Sequence, residues 1–177
     1  AANEAGNVPK AERALNEAIK LDKGLADAYW QRGVLRARQG AVRDAVQDLT
    51  EALRLSPTRH EAHAALADAY YDLGREGEAL AEWRQAVEAK PDNAQWRFRY
   101  GKLLLANHNT EAAKSELGRA LQLAEKSETA ERWLWEAHHL MARAIGARPE
   151  AIPHWEAFLR LGPLDSAYRG EAKMALE

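Results

Sequence analysis

Small and branched residues recur every 34 positions along this chain, and this period restricts the fold more than any other feature. The first column of equivalent positions contains Ala11, Ala45, Ala79 and Ala113. The column four residues later contains Leu15, Leu49, Trp83 and Leu117, and the one three residues further contains Ala18, Ala52, Ala86 and Ala120. A period of about 20–50 residues is the signature of a solenoid, in which similar units stack on their neighbours. We therefore expect a stack of repeats.

Each period divides into two helices. From Ala26, the chain reads ADAYWQRGVLRARQG and then AVRDAVQDLTEALRLSP, with small or apolar residues three and four positions apart. This spacing is typical of helices. Gly40 separates the two segments, at a point where a glycine suits a turn better than a helix interior. Because proline cannot continue a helix, Pro57, Pro91 and Pro163 indicate where three second helices end.

These residues resemble the tetratricopeptide repeat, whose 34-residue pattern is aromatic-x2-Leu-Gly-x2-Tyr, then Ala-x3-Phe, then Pro. Repeat 60–93 carries the pattern as Leu66, Ala67, Tyr70, Gly74, Ala79, Trp83, Ala86 and Pro91. Repeat 26–59 carries it as Tyr29, Gly33, Gly40, Ala45, Leu49, Ala52 and Pro57. The resemblance extends over residues 1–165 and implies an all-α, right-handed α-solenoid of helix-turn-helix repeats.

The period also predicts the organisation of the chain. We expect the second helix of a truncated repeat at 1–25, repeats at 26–59, 60–93 and 94–127, a divergent repeat at 132–165 and a capping helix at 166–177. The first helix, expected at 8–22, lacks its usual partner, so part of its face (Ala11, Leu15 and Ala18) is expected to be exposed, as in a fragment of a longer array. In the capping helix the residues expected to pack inward are Tyr168, Ala172, Ala175 and Leu176.

The register slips between Leu117 and Trp135. The stretch LQLAEKSETAERW contains about four extra residues and no proline, and Ser127 or Thr129 is a suitable N-cap for the next helix. Two interpretations stay open. The insertion either lengthens a helix pair and reshapes the binding groove, or is a tolerated addition at a loop or helix end.

Composition excludes several classes of partner. The formal charge of −2 and the pI near 6.4 give no basic surface for nucleic acid, and no apolar run approaches the length of a membrane span. The absence of cysteine excludes disulfides and suits a reducing compartment. We expect a cytoplasmic location, with the periplasm as an alternative. The Ala, Leu, Arg and Glu richness indicates a bacterial protein.

Catalytic motifs are absent from the sequence. The chain has no cysteine nucleophile, no glycine-rich phosphate loop and no Gly-x-Ser-x-Gly turn. His60 and His63 are spaced to share a helix face, but no third metal ligand accompanies them. The neighbours His138 and His139 point about 100° apart on a helix, which is unsuited to chelation. The sequence predicts packing roles for these histidines, and no enzyme activity, cofactor or metal.

Binding residues are expected on the first helix of each repeat, because the resemblance implies that these helices line a concave groove. Side chains that the packing columns do not require form one stripe along each of these helices. The predicted protein-binding residues are Asp27, Trp30, Gln31, Val34, Arg38, Asp68, Tyr71, Asp72, Phe98, Arg99, Lys102, Leu105, Trp133, Leu140 and Arg143, with Glu61, Gln95 and Glu136 beside them. The stripe is more acidic in its first half and more basic later. The alternative is that its apolar members pack between adjacent first helices.

The resemblance implies a non-enzymatic scaffold or adaptor that binds a partner protein or peptide. Bacterial members of the family often serve in secretion, pilus and motility assembly, polarity and signalling. A folded surface or an amphipathic helix lying across Trp30, Tyr71, Phe98 and Trp133 is the expected ligand. Two alternatives stay open. One is a module that oligomerises through exposed solenoid ends, with weak self-association through the first helix, and the other is a regulatory domain of a larger enzyme.

Overall fold

The computed structural model describes residues 2–125 and 133–177, with side chains from residue 8 onward. Helices account for all regular secondary structure in these residues, so the expected all-α fold is confirmed. The helices, in chain order, are α1 (Ala2–Leu21), α2 (Ala26–Arg38), α3 (Val42–Leu55), α4 (His60–Asp72), α5 (Glu76–Ala89), α6 (Ala94–Ala106), α7 (Thr110–Glu125), α8 (Leu134–Ile145), α9 (Ile152–Leu161) and α10 (Arg169–Met174). A short 3₁₀ turn at Pro149–Ala151 precedes α9. The predicted caps Ser127 and Thr129 lie outside the described residues.

The helices pack as consecutive pairs within two compact units, residues 1–89 and residues 90–177. In the first unit α2 packs on α3 and α4 on α5, and in the second α6 packs on α7 and α8 on α9. Pro57 and Pro91 stand just beyond the ends of α3 and α5, and Pro163 just beyond the end of α9, as the sequence predicts.

Large and small side chains alternate in the core of every pair. In α3, Ala45, Leu49 and Ala52 are all fully buried. The equivalent triplets in α5 (Ala79, Trp83, Ala86) and α7 (Ala113, Leu117, Ala120) are likewise buried. In the first of these pairs α2 approaches α3 so closely that a Cβ added at Gly33 would lie 2.7 Å from Cγ of Leu49. Leu49 of the second helix therefore fills the space that Gly33 of the first leaves, and Leu117 does the same at Gly101.

Replacing Ala79 by leucine should destabilise this packing. Ala79 has no exposed surface, so added methyl groups have to displace neighbours, which costs about 2 kcal/mol. We expect the melting temperature to fall by about 5 °C, whereas the same substitution at exposed Ala81 of the same helix should change little. Thermal melts followed by circular dichroism check this. Equal melting temperatures for the two variants would contradict the register of the core.

The turns inside the helix pairs require a left-handed backbone. Gly40, Gly74 and Gly146 have φ angles of 81°, 70° and 78°, and His108 occupies the equivalent place with a φ of 59°. Only glycine adopts this conformation without strain, because it has no Cβ atom. Gly40, Gly74 and His108 are each 34 residues apart, so this position of the repeat has a conformational requirement that His108 meets under strain.

Replacing His108 by glycine should stabilise the second unit. Relief of the left-handed strain is worth about 1 kcal/mol, and His108 is exposed, so little packing is lost. His108→Ala keeps the Cβ atom and serves as the control, with no comparable gain. Urea unfolding of both variants measures the difference. A glycine variant no more stable than the alanine variant would show that the turn is unstrained.

Helix α1 is longer than the sequence predicts. It runs from Ala2, not residue 8, so Gly6, which lies 34 residues before the turn residue Gly40, is inside a helix and not at a turn. Ala11 is exposed, and Leu15 and Ala18 are half-buried, whereas the equivalent residues of α3 are fully buried. Part of this face is thus exposed, as expected, because α1 packs on α2 and no first helix precedes it in the described residues.

At the last helix, two of the four residues expected to pack inward lie beyond the helix and are exposed. Ala172 is fully buried against α9, and Tyr168, although 46% exposed, packs against His139 with ring centres 4.3 Å apart and planes tilted by 30°. Ala175 and Leu176, which were expected to pack inward, are exposed. Because α10 ends at Met174, these two residues lie beyond the helix and not on its buried face.

Candidate functional site

In the first unit the predicted binding residues lie on α2 and α4, two first helices that contact each other. Asp27, Gln31 and Arg38 of α2 are exposed, and so are Tyr71 and Asp72 of α4. The half-buried members of the predicted set are Trp30, Val34, Glu61 and Asp68. We call this set of α2 and α4 residues the first-helix face of residues 1–89. It is open to solvent at charged and amide side chains and at one aromatic ring.

Trp30 is held from two sides. Its ring packs against the apolar cluster around Leu49 and Leu66. The guanidinium carbon of Arg59, the residue that precedes α4, lies over the ring at 4.8 Å from its centre. Arg59 also forms an ion pair with Asp27 through its Nη2 atom. The indole, the guanidinium and the carboxylate therefore form one cluster that joins the starts of α2 and α4.

Tyr71 is the most exposed of the predicted aromatic residues. Half of its surface, 50%, is accessible, and the exposed carboxylate of Asp72 follows it in α4. Aromatic side chains that present an apolar ring and a polar hydroxyl are frequent at protein interfaces. Tyr71 is thus the residue of this face best placed to contact another molecule.

In the second unit the expectation of exposed aromatic residues is wrong. Phe98 and Trp133 are only 5% and 7% exposed, and their rings stack with centres 4.9 Å apart and planes 18° apart. They belong to the core formed by α6, α7 and α8, where Leu140 also packs. These rings instead fill the space between adjacent first helices, which is the alternative that the sequence left open. They do not belong to an exposed groove.

Several predicted charges are paired within their own unit. Nζ of Lys102 donates a 2.6 Å hydrogen bond to Oε1 of Glu136, and Nε of Arg143 lies 3.6 Å from Oε1 of Glu171. Arg99 and Gln95 are exposed and Leu105 is half-buried. Together with the Asp27–Arg59 pair, these contacts neutralise charges on which the expected acidic-to-basic gradient depends. The gradient itself stays a prediction.

Sequence reasoning missed a buried ion network in the first unit. Asp48, 4% exposed, accepts hydrogen bonds from Nε and Nη2 of Arg32 at 2.9 and 2.7 Å and from Nη1 of Arg36 at 2.9 Å. Hydrogen bonding to Asp48 raises the pKa of Arg32. Arg32 and Arg36 also reach Asn16 and Glu12 of α1. This network joins α1, α2 and α3.

A signal for the network was present in the sequence. An acidic residue recurs 34 positions apart, at Asp48, Glu82 and Glu116. Each contacts a basic residue or histidine of the preceding first helix: Oε2 of Glu82 lies 2.6 Å from Nδ1 of His63, and Glu116 pairs with Arg97. His63 thus links two helices.

Three histidines, His138, His139 and His154, pack inside the second unit. Nδ1 of His138 lies 3.0 Å from Nδ1 of His154, and burial, with the nearby His154 and Arg160, lowers the pKa of His138 to about 4. His139 is 3% exposed among the rings of Trp155, Phe158 and Tyr168, and burial lowers its pKa too. In the described parts of the chain, no three His, Cys, Asp or Glu side chains are grouped to hold a metal.

None of the described helices combines the length and apolar character that a bilayer crossing requires.

Comparison with known proteins gives matches to two family models. Residues 2–92 match the bacterial transcriptional activator domain, and residues 64–130 match the tetratricopeptide repeat. The type IV pilus assembly protein PilF of Pseudomonas aeruginosa is 29% identical over 162 residues, 90% of this chain and 61% of PilF. Neutrophil cytosol factor 2 of Bos taurus is 46% identical over 48 residues, 27% of this chain and 9% of that protein. The chain thus spans less than two thirds of either relative.

Solved structures share the fold. The crystal structure of MamA superposes with a TM-score of 0.78 at 18% identity, over 97% of this chain and 94% of MamA. YrrB, described as a tetratricopeptide repeat protein with an unusual peptide-binding site, gives 0.77 at 21% identity, over 98% of this chain and 88% of YrrB. The bacterial origin expected from composition agrees with the PilF and activator-domain matches. The chain belongs to the tetratricopeptide repeat family, with an all-α solenoid fold, and its residues 2–92 belong to the family of the bacterial transcriptional activator domain.

Proposed function

We propose that this chain is a non-enzymatic interaction scaffold that binds a partner protein or an amphipathic helix on the first-helix face of residues 1–89. The observation that carries the proposal is the exposure of Tyr71, which is 50% accessible while Phe98 and Trp133 of the predicted set are buried. Membership of a family that includes a peptide-binding protein supports it. A partner that covers Tyr71 would remove an apolar ring from water at little conformational cost.

The exposed polar residues of the first-helix face have a different role from Tyr71 in this proposal. Gln31, Arg38 and Asp72 are exposed on the same pair of helices. Exposed charges at the rim of an interface alter mainly the association rate and its salt dependence, whereas a buried aromatic anchor contributes most of the affinity. Tyr71 is therefore the anchor, and Arg38 and Asp72 orient the ligand.

The cellular setting is proposed from the relatives. PilF is a type IV pilus assembly protein, and its match extends over 90% of this chain. A scaffold for the assembly of a bacterial surface structure is therefore the setting we favour. A second candidate, favoured by the match of residues 2–92, is an interaction module of a bacterial transcription regulator. Self-association through the exposed face of α1 stays a prediction, and light scattering over a concentration series checks it.

A photo-crosslinker placed at residue 71 should capture the partner. We expect benzoylphenylalanine at position 71 to give a discrete adduct in bacterial extract, and Tyr71→Ala to bind the purified captured protein about tenfold more weakly, which corresponds to loss of an interface anchor. Gln47 is exposed on α3, a second helix, and serves as the matched position. The same adduct from position 47, or none from position 71, would contradict the proposal, as would unchanged affinity of Tyr71→Ala.

A further inference from the structure

The cluster of Trp30, Arg59 and Asp27 contains more hydrogen-bond donors than the first unit satisfies. Asp27 contacts Arg59 through one atom, Nη2. Nε of the same guanidinium and Nε1 of Trp30 are buried, and neither has a hydrogen-bond partner among the described residues. Buried N–H groups are nearly always paired in folded proteins, so two unpaired donors in one stacked cluster require an explanation.

The missing partner has to be an acceptor, and most favourably an anion. A guanidinium presents Nε and Nη2 as a parallel fork that matches the two oxygens of a carboxylate. Asp27 uses only one arm of this fork, and the indole N–H of Trp30 belongs to the ring on which the guanidinium stacks. A carboxylate that approached Arg59 along the Nε–Nη2 edge would form two hydrogen bonds where Asp27 forms one.

We propose that Arg59 and Trp30 form a receptor for a glutamate or aspartate side chain of the partner, and that Asp27 occupies this receptor in the free chain. This inference rests on the proposed function, since it specifies the chemistry of the ligand bound on the same pair of helices. It assigns a binding role to Arg59, which the sequence pattern did not single out.

Because Asp27 is largely exposed, its displacement from Arg59 by a carboxylate of the partner costs little free energy. Its side chain is 58% exposed, whereas that of Arg59 is 22% exposed. A largely exposed carboxylate returns to water at small cost, because water solvates it nearly as well as its ion-pair partner does. The incoming carboxylate gains the charge-assisted, two-pronged pairing and the partner's own contacts. Asp27 therefore keeps Arg59 paired in the free chain and excludes weak anions.

The test uses two short fluorescein-labelled peptides, one of alternating glutamate and alanine and one with glutamine in place of glutamate. Binding to the full chain is followed by fluorescence polarisation at low and at physiological salt. We expect the wild-type chain to bind the glutamate peptide weakly and the glutamine peptide not at all. Asp27→Asn, which removes the internal competitor, should tighten binding of the glutamate peptide at least threefold. Arg59→Gln and Arg59→Lys should each weaken it at least tenfold, because both lose the guanidinium fork.

Asp72→Asn is the matched control, since it removes the same charge from an exposed residue of α4. An equal gain from Asp72→Asn would show a general charge effect and overturn the proposal. Absence of binding by both wild type and Asp27→Asn would overturn it, and so would full binding by Arg59→Lys. If the crosslinker at position 71 captures a partner but neither peptide binds, the proposal of carboxylate recognition is wrong and the scaffold function stands. Circular dichroism of each variant separates these outcomes from misfolding.

Discussion

Replacing Asp48 by alanine should lower the free energy of unfolding of this protein by about 3 kcal/mol, the cost of leaving buried charges without their partner. The carboxylate of Asp48 accepts hydrogen bonds from both Arg32 and Arg36. Their side chains are only 15% and 21% exposed, so water replaces the lost partner poorly. The melting temperature should fall by about 10 °C.

The control for this prediction is Asp44→Ala. Asp44 lies one turn earlier in α3 but is exposed, so its loss should cost much less than that of Asp48. Urea unfolding of the two variants gives the difference directly. If Asp48→Ala were as stable as Asp44→Ala, the network joining α1, α2 and α3 would contribute nothing to the fold.

Replacing Phe98 by alanine should destabilise the second unit by about 3 kcal/mol, the usual lower cost of removing a buried aromatic ring. The ring of Phe98 stacks on Trp133 at 4.9 Å and lies in the core between α6, α7 and α8. The sequence pattern predicts instead an exposed ligand anchor, whose removal would leave the fold intact. The two interpretations therefore predict different stabilities for Phe98→Ala, and stability can be measured without a ligand.

Thermal melts of Phe98→Ala and Gln95→Ala distinguish these interpretations. Gln95 is exposed on the same helix, so its replacement should leave the melting temperature nearly unchanged. Normal stability of Phe98→Ala would restore the interpretation of Phe98 as a surface residue. A large loss of stability would leave Tyr71 as the exposed aromatic residue of the predicted set.

The 34-residue period by itself determined the helix pairs and the residues of their cores. Ala79, Trp83 and Ala86 are buried as their columns predict, and Gly40 and Gly74, which lie 34 residues apart, fall at left-handed turns. These features depend on local conformation and on contacts within one helix pair. Such contacts recur from one repeat to the next, so the sequence pattern alone predicts them.

Only the tertiary structure decided which side chains of the predicted stripe meet solvent. Tyr71 and Phe98 both lie on first helices, yet one is 50% exposed and the other 5%. Helical spacing fixes the face on which a residue lies, but its exposure depends on how closely the next first helix approaches and which side chain that helix presents. For Phe98 that side chain is Trp133, at the start of α8, and for Trp30 it is Arg59, at the start of α4. Such pairings join residues about thirty positions apart, and no single-helix pattern contains them.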